Sequence, residues 1–249
     1  MGLLKKQLFA CLDCETTGLD PENDRIIEVA VVIFNSEEIL DSYETLIDPQ
    51  RLISAESMAI HHITDEMVQG KPKIEEVLPH VLKMIARHPI VGHGITLDIA
   101  FLQNAAQRHQ IQNNLATHPY FDTLRLARLY GESPTNSLEK LREHFNIEPE
   151  GAHRAMSDVM VNIEVFKFLT ANYKTTEQIQ EKLSRPILLR AMPLGKHKGR
   201  PFSEIPYEYL QWAVHKDFDQ DLIFSLKNEL KKRKKGNQFG QASSPFANL

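Results

Sequence analysis

The segment Ile26–Phe34 constrains this chain more than any other, because nine residues rich in Ile and Val have the length and composition of a β-strand. Two further strand-like runs flank it. Leu8–Asp13 precedes it across the turn-like Thr17-Gly18-Leu19-Asp20-Pro21, and Ile39–Ile47 follows across Asn35-Ser36-Glu37-Glu38. Short polar connections between strand-length runs predict an antiparallel meander. Ile90–Gly92 and Tyr120–Phe121 have the pattern of shorter strands arriving between helices. Helical periodicity covers Lys73–His88, Leu97–His109, Asp122–Tyr130, Ser137–Phe145 and His153–Tyr173. Antiparallel strands first, then alternating helices and strands, predict an α/β fold with a mixed sheet and helices packed on it.

Composition bounds the rest. The 249 residues are 42% hydrophobic and 25% charged, enough for one sizeable core with a small appended module. No apolar run is long enough to span a bilayer, and the first residues lack the pattern of a signal peptide. A cytoplasmic protein with no membrane partner is expected. Cys11 and Cys14 lie three apart on a strand-like run, so they point to opposite faces and do not read as a redox pair. The net charge of −4 is uneven: residues 1–184 carry −10, whereas Arg185–Lys235 carries twelve Lys/Arg against six Asp/Glu. An acidic body with a basic appendage suits metal ions in one part and nucleic acid in the other. The expected organisation is a domain over 1–173, a linker over 174–190 with a short helix at Thr176–Leu183, a small basic module over 191–235 and a disordered tail over 236–249.

Asp13 and Glu15 end the first strand two residues apart, so both carboxylates share a face. Two adjacent acids repel each other unless a cation lies between them, and oxygen ligands suit Mg²⁺. Asp98 opens a helix just after the strand Ile90–Gly92, where ligands collect in α/β sheets. His153 and Asp158 open a late helix. Each of these alone has an ordinary structural explanation.

Together, Asp13-Cys14-Glu15-Thr16-Thr17-Gly18, then Asp98 85 residues on, then His153 and Asp158 in His-x-x-x-x-Asp, resemble the three motifs of the DEDDh 3′→5′ exonucleases. That family includes polymerase III epsilon proofreading subunits, ribonuclease T, oligoribonuclease and exodeoxyribonuclease X. Ala59-Ile60-His61-His62-Ile63-Thr64 and Asp122-Thr123 fall in the expected order, and the resemblance covers roughly residues 7–173. It implies a ribonuclease-H-like exonuclease fold with a mixed five-stranded sheet flanked by helices. It implies hydrolysis of phosphodiester bonds at 3′ ends of DNA, in repair or proofreading, by a two-metal mechanism. Asp13, Glu15, Asp98 and Asp158 would hold two Mg²⁺, with Mn²⁺ able to substitute. His153 would be the general base. Thr16, Thr17, Leu19, Ile60, His61 and Leu97 would contact the terminal nucleotide. The second motif departs from the family: the usual His-Asn-x-x-Phe-Asp reads His93-Gly94-Ile95-Thr96-Leu97-Asp98.

Gly195-Lys196-His197-Lys198-Gly199-Arg200 followed by Tyr209-Leu210-Gln211-Trp212 is similar to the C-terminal extension of exodeoxyribonuclease X. Lys196, Lys198 and Arg200 are expected on nucleic acid. Trp212, Tyr207 and Tyr209 could stack on bases or form the mini-core of the module, and for Trp212 the mini-core is the expectation. Gln241–Phe246 resembles a sliding-clamp-binding peptide. The expected partners are therefore single-stranded or frayed DNA 3′ ends, with RNA, a sliding clamp and a polymerase subunit as further candidates. The alternatives are an exoribonuclease of the oligoribonuclease or ribonuclease T type, and a non-catalytic, polymerase-associated nucleic-acid-binding subunit.

Overall fold

The computed structural model describes residues 3–131, 136–148 and 154–241, with backbone alone over 236–241. The chain divides into two compact units, Met1–Lys182 and Leu183–Leu249.

Unit 1 is built on the predicted meander. Strands β1 (Phe9–Thr16), β2 (Ile26–Phe34) and β3 (Ile39–Leu46) pair antiparallel, and β4 (Ile90–Gly92) and β5 (Tyr120–Asp122) join parallel. The sheet order is β3-β2-β1-β4-β5. This is the mixed five-stranded sheet that the strand pattern implied. Its strand β2 is buried along its whole length, which is why it reads as a continuous apolar run and not as an alternation.

Side-chain period 2 sorts β1 and β2 between two cores. Ala10 and Leu12 of β1, with Val29, Val31 and Ile33 of β2, face a core shared with α3 (Ile74–Ile85) and α4 (Thr96–Arg108). The opposite face carries Phe9 and Phe34, which meet Phe121 and Phe166 at ring-centroid separations of 5.1–6.1 Å. Phe166 belongs to α7 (Ala155–Thr170), which packs across β1 and β2. Fully burying each such ring stabilises by about 1.5–3 kcal/mol, so this face fixes α7 firmly. The two cysteines obey the same alternation: buried Cys11 donates its thiol to the Val159 carbonyl on α7 (3.6 Å), and Cys14 packs toward α3 and α4. Both are free thiols.

The remaining helices of unit 1 are α1 (Ala55–His61), α2 (Asp65–Val68), α5 (Thr123–Tyr130), α6 (Leu138–His144) and α8 (Thr176–Leu183). Helix starts differ from the sequence expectation by one or two residues, and at α5 and α6 the first residue of the predicted span serves as the cap. Asp122 accepts the Leu124 N–H and Ser137 accepts the Lys140 N–H.

Unit 2 contains α9 (Tyr207–Ala213) and α10 (Gln220–Gln241). Two expectations are corrected here. Within residues 174–190 the short helix expected over Thr176–Leu183 is α8, and further on the Ile187 N–H donates to Asp221 Oδ1 (2.9 Å) and the Leu189 N–H to Ser225 Oγ (2.8 Å). Helix α10 continues past Lys235 to Gln241, since extending an existing helix needs no new nucleus. The mini-core consists of Met192, Phe202, Ile205, Leu210, Ala213, Leu222 and Leu226, and excludes Trp212, which is 51% exposed. Leu210 and Ala213 are three apart and take the inward face of α9, so Trp212 turns outward. No helix among the described residues is long and apolar enough to cross a membrane.

Candidate active site

The first carboxylates sit at the end of β1. Asp13 pairs with Ala30 and Glu15 with Glu28 across the β1–β2 ladder, and a register shift falls immediately after Glu15. Such a shift re-aims the chain and ends the pairing. The following turn is fixed by Thr17, whose hydroxyl donates to Asp24 Oδ1 (2.9 Å) and accepts the Arg25 N–H (3.1 Å). Gly18 leaves room there for the Asp24 carboxylate, which a Cβ at this position would force to shift.

Helix α7 delivers the third carboxylate. Asp13, Glu15 and Asp158 each offer an oxygen within 4.8 Å of the other two. Asp98, in the first turn of α4, joins from the β4 side: its Oδ1 accepts the Cys14 N–H at 3.0 Å. The four expected acids thus come from three separate stretches and meet beside the end of β1. Asp13 is held well above the usual carboxylate range, first by burial and then by the charges of Asp98, Glu15, Asp158 and Glu28. Glu15 is pushed up from 4.5 to about 8, mainly by burial and the Asp158 and Glu28 charges. Asp98 rises from 3.8 to about 7, again mainly by burial. Half-buried, mutually repelling carboxylates of this kind are the environment that a divalent cation relieves.

The sign of these shifts gives a stability prediction. A carboxyl whose folded-state pKa is raised stabilises the fold below its unfolded pKa and loses that contribution as pH rises through the folded value. For Glu15 and Asp98 that window runs from about pH 4 to about pH 8. The metal-free chain is expected to lose about 5–10 °C in Tm between pH 5 and pH 8, given a few kcal/mol from the two shifts. Mg²⁺ is expected to restore much of it at pH 8 and little at pH 5. Calorimetry with and without EDTA checks this, and a Tm that is flat across the range with no response to Mg²⁺ would contradict it.

The sequence reading missed Glu28, which is completely buried. Its carboxylate takes a bidentate grip from Arg154, with Nε 3.1 Å from both oxygens, and accepts the Ala155 N–H at 3.0 Å. It is therefore an anionic cap on α7, supplied by β2. The signal lay in the sequence: one acid inside an otherwise apolar strand. Arg154 is extended and α7 starts at Ala155, so His153 precedes the helix in sequence; His153 lies outside the described residues.

A second overlooked feature braces the loop that leads to Asp98. The Thr123 hydroxyl donates to Asn162 Oδ1 (2.6 Å), His93 Nδ1 lies 3.0 Å from that hydroxyl, and Asn162 reaches Cys11 Sγ (3.6 Å). Burial lowers the His93 pKa to about 4, so the ring is neutral near pH 7 and orients without carrying charge. Gly94 has φ +69° and donates its N–H to Asp122 Oδ1 (2.9 Å). Glycine and asparagine are the residues that tolerate this backbone best, which accounts for Gly94 standing where the family has Asn.

The expected nucleotide contacts divide into two groups. Leu19 (80% exposed), Ile60 and Leu97 present apolar side chains to solvent. Thr17 and His61 are buried instead: the Thr17 hydroxyl is engaged as described, and His61 Nδ1 accepts the Ile63 N–H. Thr16 donates to the Gly18 carbonyl (2.6 Å). In unit 2, Lys196, Lys198 and Arg200 are all exposed. Of the clamp-like segment, Gln241 ends α10 and the other residues lie outside the described residues.

Comparison with known proteins gives independent placement. A family model described as exonuclease (RNase T) matches residues 10–166, and one described as a putative quorum-sensing-regulated virulence factor matches residues 180–228. The chain is 40% identical over 158 residues to the PolC-type DNA polymerase III of Thermotoga petrophila, covering 64% of this chain and 11% of that protein. It is 33% identical over 159 residues to the DNA polymerase III subunit epsilon of Aquifex aeolicus, covering 64% and 78%. The chain thus spans about a tenth of the length of its PolC-type relatives. Among solved structures, exonuclease X in complex with 5′-overhanging duplex DNA superposes with TM-score 0.55 at 27% identity, over 70% of this chain and 98% of that one. An exonuclease I structure shares the fold, with TM-score 0.62 at 20% identity over 72% and 44% of the two chains.

Proposed function

Since the chain belongs to the RNase T exonuclease family, we propose that it is a Mg²⁺-dependent 3′→5′ exonuclease that removes nucleotides from DNA ends in repair or proofreading. The observation that carries this reading is the convergence of Asp13, Glu15 and Asp158 within 4.8 Å, with Asp98 alongside. Four carboxylates can balance two divalent ions, and the raised pKa values of Asp13, Glu15 and Asp98 match a site built around positive charge. Asp13, Glu15, Asp98 and Asp158 would hold two Mg²⁺, or Mn²⁺ in their place. Bound there, the ions would stabilise the attacking and leaving oxygens of an in-line displacement at phosphorus.

The remaining roles fall to the protein's own groups. His153, two residues ahead of α7, takes a proton from the attacking water on an imidazole nitrogen, a role suited to a group that titrates near neutral pH. The exposed Leu19, Ile60 and Leu97 pack on the terminal nucleoside, while Thr16, Thr17 and His61 shape the floor beneath them. DNA is favoured as substrate by the resemblance to DNA polymerase III chains and to exonuclease X bound to DNA. The polymerase III relatives favour a place beside a polymerase, and the reading is completed by a cytoplasmic setting and by Gln241–Phe246 as a segment for a sliding clamp.

A labelled-strand assay tests the reading. A 5′-labelled single-stranded DNA and the matching RNA are incubated with the full chain in Mg²⁺ and in EDTA. The expected result is a ladder shortening from the 3′ end on DNA, absent in EDTA. Degradation confined to RNA would replace the substrate assignment with an exoribonuclease, and binding without degradation of either strand would leave a non-catalytic subunit.

A further inference from the structure

Unit 2 exposes Trp212, which its own core does not use, beside Tyr209, which is half-buried and packs partly against that core. On α9, Leu210 and Ala213 are buried, while Tyr209 and Trp212 lie together elsewhere on the helix with ring centroids 5.2 Å apart and planes tilted by 43°. Each ring carries a cation: Lys216 Nζ lies 4.9 Å from the Trp212 centroid, and Lys196 Nζ lies 5.0 Å from that of Tyr209. Buried His197 meets Tyr209 edge-on at 4.5 Å, which holds the loop carrying Lys196, Lys198 and Arg200 against the ring. That loop is closed by Met192 N–H to the Arg200 carbonyl (2.9 Å) and Gly199 N–H to the Met192 carbonyl (2.8 Å). In contrast, Arg233 is committed to Glu229 and to the Phe202 and Ser203 carbonyls, so it is a structural cation.

A single exposed tryptophan is ordinary on a protein surface. An exposed indole beside a second ring, with lysines at both and two more cations on an adjoining loop, matches one ligand chemistry closely. Unpaired nucleobases stack on aromatic faces, and the phosphates between them need positive charge. A duplex hides its base faces, so the strand must be single.

We propose that unit 2 holds single-stranded polynucleotide by stacking bases on Tyr209 and Trp212, with Lys196, Lys198, Arg200 and Lys216 on the phosphates. The choice of polynucleotide as occupant rests on the exonuclease reading of unit 1 and on the excess of Lys/Arg in Arg185–Lys235. Lys216, on a flexible stem, exchanges the indole face for a phosphate as a base arrives.

The chain has one tryptophan, so Trp212 reports on its own site. The full chain is titrated in EDTA, where degradation is suppressed, with a labelled twelve-nucleotide oligo(dT) and with the matching oligo(U). Binding is followed by anisotropy and stacking by tryptophan emission. Saturable quenching that parallels the anisotropy is expected with at least one strand, and the stronger arm identifies the sugar. Trp212→Ala is expected to weaken binding about 10-fold, and Trp212→Phe to restore most of it. Lys198→Ala with Arg200→Ala is expected to lower the salt dependence of binding by about two phosphate contacts. Anisotropy without quenching, equal binding by Trp212→Ala, or equal quenching by polyglutamate would each overturn the proposal. Loss of strand degradation with quenching intact would sink the nuclease reading alone, and degradation with no quenching would sink this one alone.

Discussion

Asp13→Asn is expected to lower exonuclease turnover by about 10³-fold while raising the Tm of the metal-free protein. The two effects have one cause. In the folded chain burial disfavours the Asp13 carboxylate most, and the charges of Asp98, Glu15, Asp158 and Glu28 add their repulsion. An amide of the same shape removes the buried charge and with it that repulsion, so the metal-free fold gains stability. The same change removes one of the negative charges that would hold the divalent ions against the reacting phosphate. At an effective dielectric of ~20, a unit charge ~4 Å away is worth about 4 kcal/mol, which corresponds to about 10³-fold in rate. Turnover at saturating Mg²⁺ and Tm in EDTA at pH 8 check the two halves. A variant that keeps turnover within about tenfold of wild type, or that melts well below it in EDTA, would mark Asp13 as a structural residue.

That opposition between stability and activity also explains which parts of the molecule the sequence made legible. The meander could be read because the strands β1–β3 differ sharply from their polar connections, and because period 2 places Asp13 and Glu15 on one face. Asp98 was legible as an acid at a strand-to-helix junction, although its hydrogen bond to the Cys14 N–H was not, since backbone partners leave no mark in side-chain identity. Glu28 was hidden for a different reason. Within Ile26–Phe34 one acid does not disturb the strand pattern, and its partners Arg154 and Ala155 lie more than 120 residues away. Trp212 was misplaced because size argues for burial, whereas on a seven-residue helix the inward face is already filled by Leu210 and Ala213. Pattern reads local geometry well, and reads poorly the pairings that join distant segments.

Arg154→Ala is expected to destabilise the protein by about 2–4 kcal/mol and to cut turnover by about 10- to 100-fold. Removing one member of a buried ion pair leaves an uncompensated charge, typically at about 3–5 kcal/mol. Here Glu28 is fully buried but the Arg154 side chain is 41% exposed, so water reaching the gap sets the lower figure. The activity loss follows from position. Arg154 immediately precedes α7, which carries Asp158, so loosening its grip on Glu28 displaces that carboxylate. A misplacement of about 1 Å is enough for a loss of this size. Lysine is not expected to rescue, because an ammonium cannot make the bidentate contact that Nε and the guanidinium amino groups provide. The double variant Glu28→Gln/Arg154→Ala separates pairing from packing. The introduced amide carries no charge but can still accept the Ala155 N–H, so the double variant should be more stable than Arg154→Ala by at least about 1 kcal/mol. Denaturant melts of the two single variants and the double variant, with turnover measured well below each Tm, decide the matter. Additive stability losses, or full turnover in Arg154→Ala, would mean that the Glu28–Arg154 pair does not position the site.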